Sequence, residues 1–186
     1  MSFLAFSKKE KVAVYIDGSN FYKYLKTKEI HFPKGTKFDY SKFVKFLIGS
    51  RECVSKRYYV GIARNFDHTE KSQQMVQDQQ KFLSHLQNEG FDIKRGRIMY
   101  DAGEIREKGT DVKLAIDLIV GAIDNLYDTA ILVSSDTDLI PAVKYIKYKG
   151  KKLEYVGFSH NPSLGMQKYA DSAILLRLED IENFKE

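Results

Sequence analysis

Short β-branched or aromatic runs alternate with longer stretches of helical spacing along nearly the whole chain. Runs at residues 12–16, 56–63, 130–133 and 153–157 read as strands, and 173–176 offers one more. Helical spacing covers residues 20–28, 41–48, 111–126 and 139–148, with a shorter stretch at 163–169. A long helix is expected to begin at Asp67, with Glu70 as its capping-box partner and Gly90 as its stop. Residues 91–98 are strand-like but polar, as suits a strand near a sheet edge. Strands separated by helices of about ten residues or more require βαβ units, right-handed crossovers and a largely parallel sheet. The expected fold class is therefore α/β. The runs at 12–16 and 130–133 are short and almost unbroken in apolar character, which places them at the sheet's centre.

Composition narrows the function. At a prior of roughly 150 residues per domain, 186 residues favour one domain, here 1–186 with a core of about 12–176. No Pro/Gly/Ser-rich linker or internal repeat divides it. Thirty Lys and Arg against 25 Asp and Glu leave a net charge of +5, which permits a polyanionic partner without requiring one. The single cysteine, Cys53, excludes an intrachain disulfide framework and a multi-cysteine zinc site, and is expected to be a small packed side chain. A reducing, cytoplasmic setting follows. No apolar run of about 18 residues is present to span a membrane, and the apolar stretch in residues 1–7 is too short for a signal peptide. Nucleotide-binding loops of the Gly-x-x-x-x-Gly-Lys or Gly-x-Gly-x-x-Gly kind are missing. Gly157-Phe158-Ser159-His160-Asn161 lacks the last glycine of a nucleophile elbow. The four histidines show no ligand spacing.

Ligands of parallel sheets gather beyond the carboxyl ends of the strands, so the residues after the two central runs matter most. The first continues as Ile16-Asp17-Gly18-Ser19-Asn20, the second as Val133-Ser134-Ser135-Asp136-Thr137-Asp138. If the strands are neighbours, Asp17, Asp136 and Asp138 converge on one rim, where like charges repel unless a cation or shared protons relieve them. Oxygen ligands suit a hard divalent ion, Mg²⁺ or Mn²⁺, better than zinc. Each acid alone has another use: an Asp after a strand caps the next helix, and Asp138, just before Leu139-Ile140-Pro141, is well placed for that. On a helical wheel at 100° per residue, Ala115, Leu118, Ile119 and Ala122 define the sheet-facing stripe of the 111–126 helix. Asp111 lies within about 40° of that stripe's centre, which is tolerable only where the helix overruns the sheet toward the same rim. Asp117 falls on the solvated side, four residues from Lys113.

Together, Val14-Tyr15-Ile16-Asp17-Gly18-Ser19-Asn20, Lys108-Gly109-Thr110-Asp111-Val112 and Val133-Ser134-Ser135-Asp136-Thr137-Asp138 resemble the three motifs of NYN domains. These are PIN-like ribonuclease domains, a group that includes LabA-like bacterial proteins. The resemblance covers residues 12–176 and implies a three-layer PIN-like α/β/α sandwich with a mostly parallel central sheet. It implies metal-dependent cleavage of RNA, with Asp17, Asp111, Asp136 and Asp138 in an acidic metal-binding cluster and Asn20 orienting Asp17. Ser135 stands where the family commonly has glycine or serine, and Asp171 resembles the family's late aspartate. One or two Mg²⁺ or Mn²⁺ ions would activate water for in-line displacement, leaving a 5′-phosphate and a 3′-hydroxyl.

Two other readings compete. An RNA-binding or assembly module could keep the acids without turnover. A haloacid-dehalogenase-like phosphatase would explain Asp136-Thr137-Asp138 but leave Asp17 and Asp111 without a role. For substrate, Lys108 could counter phosphate charge. Lys144, Lys147, Tyr148 and Lys151 share a face that could track a phosphate backbone and stack bases, or be an ordinary solvated surface. Lys94-Arg95-Gly96-Arg97 forms a second basic group, which also discourages edge pairing. A homo-oligomer is compatible with all of this.

Overall fold

A computed structural model describes residues 8–26, 37–62, 69–101 and 104–185, with the backbone alone for 97–101 and 104–108. Six parallel strands form the central sheet in the order β3-β2-β1-β6-β7-β8. They are β1 (Lys11–Asp17), β2 (Glu52–Val60), β3 (Asp92–Arg95), β6 (Thr129–Val133), β7 (Lys152–Phe158) and β8 (Ser172–Leu176). β1 and β6 are adjacent, with Ile16 level with Val133. The chain winds outward from β1 through β2 to β3, then returns to β1's other side and winds away through β7 to β8. The strand order thus reverses between β1 and β6, a crevice that opens at their carboxyl ends.

Helices α1 (Gly18–Leu25), α2 (Tyr40–Ile48), α3 (Glu70–Asn88) and α7 (Leu178–Glu182) accompany one face of the sheet, with α4 (Thr110–Ile123), α5 (Ile140–Tyr148) and α6 (Leu164–Tyr169) on the other. The alternation in β1 explains the two layers. Val12, Val14 and Ile16 enter a core with Phe21, Phe43 and Leu86, whereas Ala13 and Tyr15 enter a second with Leu114, Leu118 and Val143. Every residue of β6 is buried, as a strand covered on both faces must be. No helix among the described residues is long and apolar enough to cross a membrane.

Several boundaries differ from expectation. Residues 91–98 divide at Gly96: β3 is the sheet edge, while β4 (Arg97–Asp101) pairs antiparallel with β5 (Glu104–Lys108) in a separate hairpin. The strand expected at 56–63 begins four residues earlier, at Glu52, in register with β1. Asp67 lies outside the described residues; the α3 cap is Thr69, which accepts a hydrogen bond from the Ser72 amide, so Glu70 opens the helix and is not a capping-box partner. Cys53 is exposed at the start of β2 and not packed.

The α4 stripe is rotated from its expected position. Its buried residues are Thr110, Leu114, Leu118, Gly121 and Ala122, because the sheet meets it with tyrosine rings that need small residues opposite. A Cβ on Gly121 would stand 2.7 Å from the Tyr127 ring. The rotation turns Asp117 inward, contrary to the solvated position expected for it. Tyr59 donates a 2.7 Å hydrogen bond to its Oδ2, and Arg57 approaches the same oxygen at 3.7 Å. Burial pushes the neighbouring Tyr15 hydroxyl up to about 12. These polar tips lock the helix that carries Asp111 onto the sheet.

Candidate acidic site

Asp17 ends β1 and caps α1, and only 3% of it is exposed. Its Oδ1 accepts a 2.9 Å hydrogen bond from the Asn20 amide, and its Oδ2 accepts one of 3.0 Å from the Ser134 hydroxyl at the end of β6. Gly18 makes this approach possible, since a Cβ there would meet the Tyr58 ring at 2.5 Å. Burial raises the Asp17 pKa above the ordinary carboxylate value. The two hydrogen bonds pull it back, and the negative charges of Asp111 and Asp136 push it up again.

A second set of bonds ties the two strand ends together. The Asn20 side-chain oxygen accepts from the Ser135 amide at 3.2 Å, and the Asp136 amide donates to Ser134 Oγ at 3.2 Å. Asn20 therefore orients Asp17 through its backbone, while its side chain bridges to the β6 loop. Asp136, half-buried, caps a 3₁₀ turn (Thr137–Leu139) by accepting the Asp138 amide at Oδ1, 2.9 Å away. The cap expected of Asp138 belongs to Asp136; α5 itself begins without a side-chain cap. Ser135 Oγ lies 2.8 Å from the buried Tyr155 hydroxyl, which also accepts the Ser163 amide.

Asp17, Asn20, Ser135 and Asp136 thus share one rim, and Asp111, exposed in the first turn of α4, bears on Asp17 from the other side. Asp138 is exposed in the 3₁₀ turn, and its charge is not among those that raise Asp17. Among the described residues, no three His, Cys, Asp or Glu side chains are gathered closely enough to hold one metal ion as they stand. The Lys108 side chain lies outside the described residues.

The expected substrate face on α5 is elsewhere. That helix runs back from the acidic rim, so its final turn lies at the amino ends of the strands. There the Lys147 ammonium donates to the Tyr169 carbonyl and pairs with Asp171, both at 2.9 Å, while Lys144 sits 4.4 Å from the centre of the Tyr169 ring. Tyr148 is exposed at the same far end. Asp171 also accepts the amide of Leu153, at the start of β7, so it belongs to that opposite rim and not with Asp17.

Sequence reasoning passed over Ser134 and Tyr155 as contributors. The signal for Ser134 was a small hydroxyl residue directly after a fully buried strand. Nor did it single out the outer side of α1, where Tyr22 is half exposed under the Lys26 ammonium, 4.5 Å from its ring centre. On the other flank of α1, Tyr24 stacks on Phe158, and the exposed His160 meets its ring edge-on.

Residues 11–177 match the NYN domain. The chain belongs to the NYN domain family. NYN domains are PIN-like nucleases, and the three-layer fold agrees with a solved relative. The crystal structure of VPA0982, a protein of unknown function from Vibrio parahaemolyticus, superposes with a TM-score of 0.71 at 27% identity, covering 93% of this chain and 96% of that one. The uncharacterized protein MJ0482 of Methanocaldococcus jannaschii is 30% identical over 94 residues, which is 50% of this chain and 35% of that protein. The NYN chain therefore spans about a third of the length of that relative.

Proposed function

We propose that this NYN domain is a metal-dependent ribonuclease that hydrolyses RNA phosphodiester bonds at the β1/β6 crevice. The observation that carries the reading is the buried Asp17 carboxylate, held by two hydrogen bonds while two further carboxylates, Asp111 and Asp136, oppose its ionisation. A protein keeps such an arrangement at a cost in stability, and a cation relieves it.

The donor set is all oxygen, as suits Mg²⁺ or Mn²⁺: Asp17 fixed by its neighbours, Asp136 held by one capping bond, and Asp111 exposed in the first turn of α4. Asp17, Asp111 and Asp136 would hold the ion, with Asp138 next to them. When bound, it would supply Lewis acidity toward water and a phosphoryl oxygen. The chain's own residues do the positioning. Asn20 and Ser134 fix the two oxygens of Asp17, Asn20 also holds the Ser135 amide, and Tyr155 anchors the Ser135 hydroxyl. The α4 N-terminus lends partial positive charge beside Asp111. RNA would cross the outer side of α1, where Lys23 and Lys26 can neutralise phosphates and Tyr22 can stack a base.

Incubation of mixed-sequence RNA with Mg²⁺ or Mn²⁺ tests the reading. Cleavage abolished by EDTA and by both Asp17→Asn and Asp136→Asn supports it, and products should carry 5′-phosphates. A second reading, an RNA-binding module without turnover, draws on Asp136 being committed to the 3₁₀ cap and on the lack of a closed three-ligand set among the described residues. RNA binding by the wild type with no cleavage in either metal favours that reading.

A further inference from the structure

Helix α4 carries apolar residues on two opposite sides. Leu114, Leu118, Gly121 and Ala122 face the sheet. On the opposite side Val112 is 62% exposed, Ile116 53%, Val120 44% and Ile123 54%, and Leu126 just beyond the helix is 46% exposed. At 100° per residue the four helical side chains fall within a sector of about 80°. A contiguous exposed apolar stripe of this kind marks a contact surface.

We infer that this stripe is the interface of a homodimer in which two α4 helices pack antiparallel about a two-fold axis. The charges beside the stripe choose the second copy and the direction. Lys113 and Asp124, both exposed, lie on the same flank of α4, about 20° apart on the wheel. In an antiparallel pair related by a two-fold, like flanks meet, and residues equidistant from the crossing point stand opposite each other. A crossing midway between residues 118 and 119 sets Lys113 of each copy against Asp124 of the other. That point lies within one residue of the stripe's centre, so the axis that pairs the charges also overlays the apolar side chains. In a parallel pair the Lys113–Asp124 flank of one copy would face the opposite flank of the other, and the two charges could not pair. Antiparallel helix dipoles add a further small preference.

The geometry leaves both acidic rims open. Asp111 lies about 11 Å along the axis from the crossing, so the two Asp111 residues are about 22 Å apart along the pair, at opposite ends.

Sedimentation equilibrium of the full chain across micromolar concentrations tests the assignment. The wild type is expected to dimerise. Ile116→Glu should weaken dimerisation by about a hundredfold and Lys113→Glu by about tenfold, since two exposed pairs turn repulsive. The double variant Lys113→Glu/Asp124→Lys restores both pairs with reversed sign and should return to within about threefold of the wild type. All three sites are exposed, so an unchanged circular dichroism spectrum confirms intact folding. A wild type that is monomeric throughout overturns the assignment, whether another part of the chain or a different protein covers the stripe. A dimer insensitive to Ile116→Glu overturns it as well. A dimer lost in Ile116→Glu but equally strong in Lys113→Glu and the double variant rules out the antiparallel two-fold.

Discussion

Replacing Ser134 by alanine removes one hydroxyl that serves two partners, the Asp17 carboxylate at 3.0 Å and the Asp136 amide at 3.2 Å. Ser134 and Asp17 are 2% and 3% exposed, so solvent neither screens the bond nor replaces it. A hydrogen bond to a charged group contributes about 1.5–3 kcal/mol. For a chain of this size, at about 2–4 °C per kcal/mol, Tm should fall by about 3–12 °C at pH 7. The loss should also carry a pH signature. Burial, partly offset by this bond, already holds the Asp17 pKa above its ordinary value of 3.8. A raised carboxylate pKa means that the folded protein binds the proton more tightly than the unfolded chain does. Its contribution to stability is therefore complete below the unfolded value and is lost as pH rises through the folded one. Without Ser134 the folded pKa rises further, so the gap between wild type and variant should be small near pH 4 and full at neutrality. Metal-free thermal melts followed by circular dichroism from pH 4 to 8 measure that gap. A gap of the same size at every pH, or none at pH 7, would refute the claim that the hydroxyl acts by holding an ionised Asp17.

Three further outcomes follow from the same geometry. In EDTA at pH 7, Asp17→Asn should melt no lower than the wild type, because it removes a buried charge and keeps an oxygen for the Asn20 amide; RNA cleavage in Mn²⁺ should nevertheless fall at least about a hundredfold. Gly18→Ala would set a methyl group 2.5 Å from the buried Tyr58 ring and should cost about 1–3 kcal/mol in urea titration, whereas an unchanged midpoint would show that the ring gives way freely. At the opposite rim, burial pushes Asp171 up, but the Leu153 amide and Lys147 ammonium outweigh it and hold the pKa below the ordinary value. Its stabilisation is present above the unfolded pKa and lost as pH falls through the folded one. Asp171→Asn should cost no more than about 1 kcal/mol at pH 7, since the pair is partly exposed, and should leave RNA cleavage unchanged.

The parts of the molecule most legible in its sequence were those governed by burial on both sides. β1 and β6 stand out as unbroken apolar runs because no residue in a covered parallel strand can face water, and the acids that end them follow directly. Asp111 was readable because a charge on an apolar stripe has to lie beyond the sheet. Asp117 was misread because the expected stripe took in Ala115 and Ile119, whereas the buried one takes in Leu114 and Gly121, the latter against the Tyr127 ring. The α5 lysines illustrate a different limit. A wheel shows which residues share a face but not which end of the sheet that face reaches, and Lys147 reaches the amino end. The β4–β5 hairpin escaped notice because its residues follow β3 with only Gly96 between them, and no local pattern separates a sheet strand from the first arm of a hairpin.

Helix capping and metal binding look like rival explanations of an Asp after a strand, yet at this rim the capping geometry is compatible with both. An ionised carboxylate offers about four lone-pair directions. Asp17 spends one on the Asn20 amide and one on Ser134, and Asp136 spends one on the Asp138 amide. These bonds fix where each oxygen sits and leave lone pairs uncommitted by any of them. The capping bonds thus do for these carboxylates what packing does for the core: they remove side-chain freedom in advance, so an ion bound there, as proposed, would cost less entropy. Mutual repulsion among Asp17, Asp111 and Asp136 is the cost of that preorganisation, and it is concentrated on Asp17, the most buried of the three. A site arranged only for stability would neutralise that charge with a lysine or arginine, as Asp171 and Asp117 are neutralised elsewhere in the same fold. Asp17 is instead opposed by two carboxylates, and no lysine or arginine is among the groups that act on its charge.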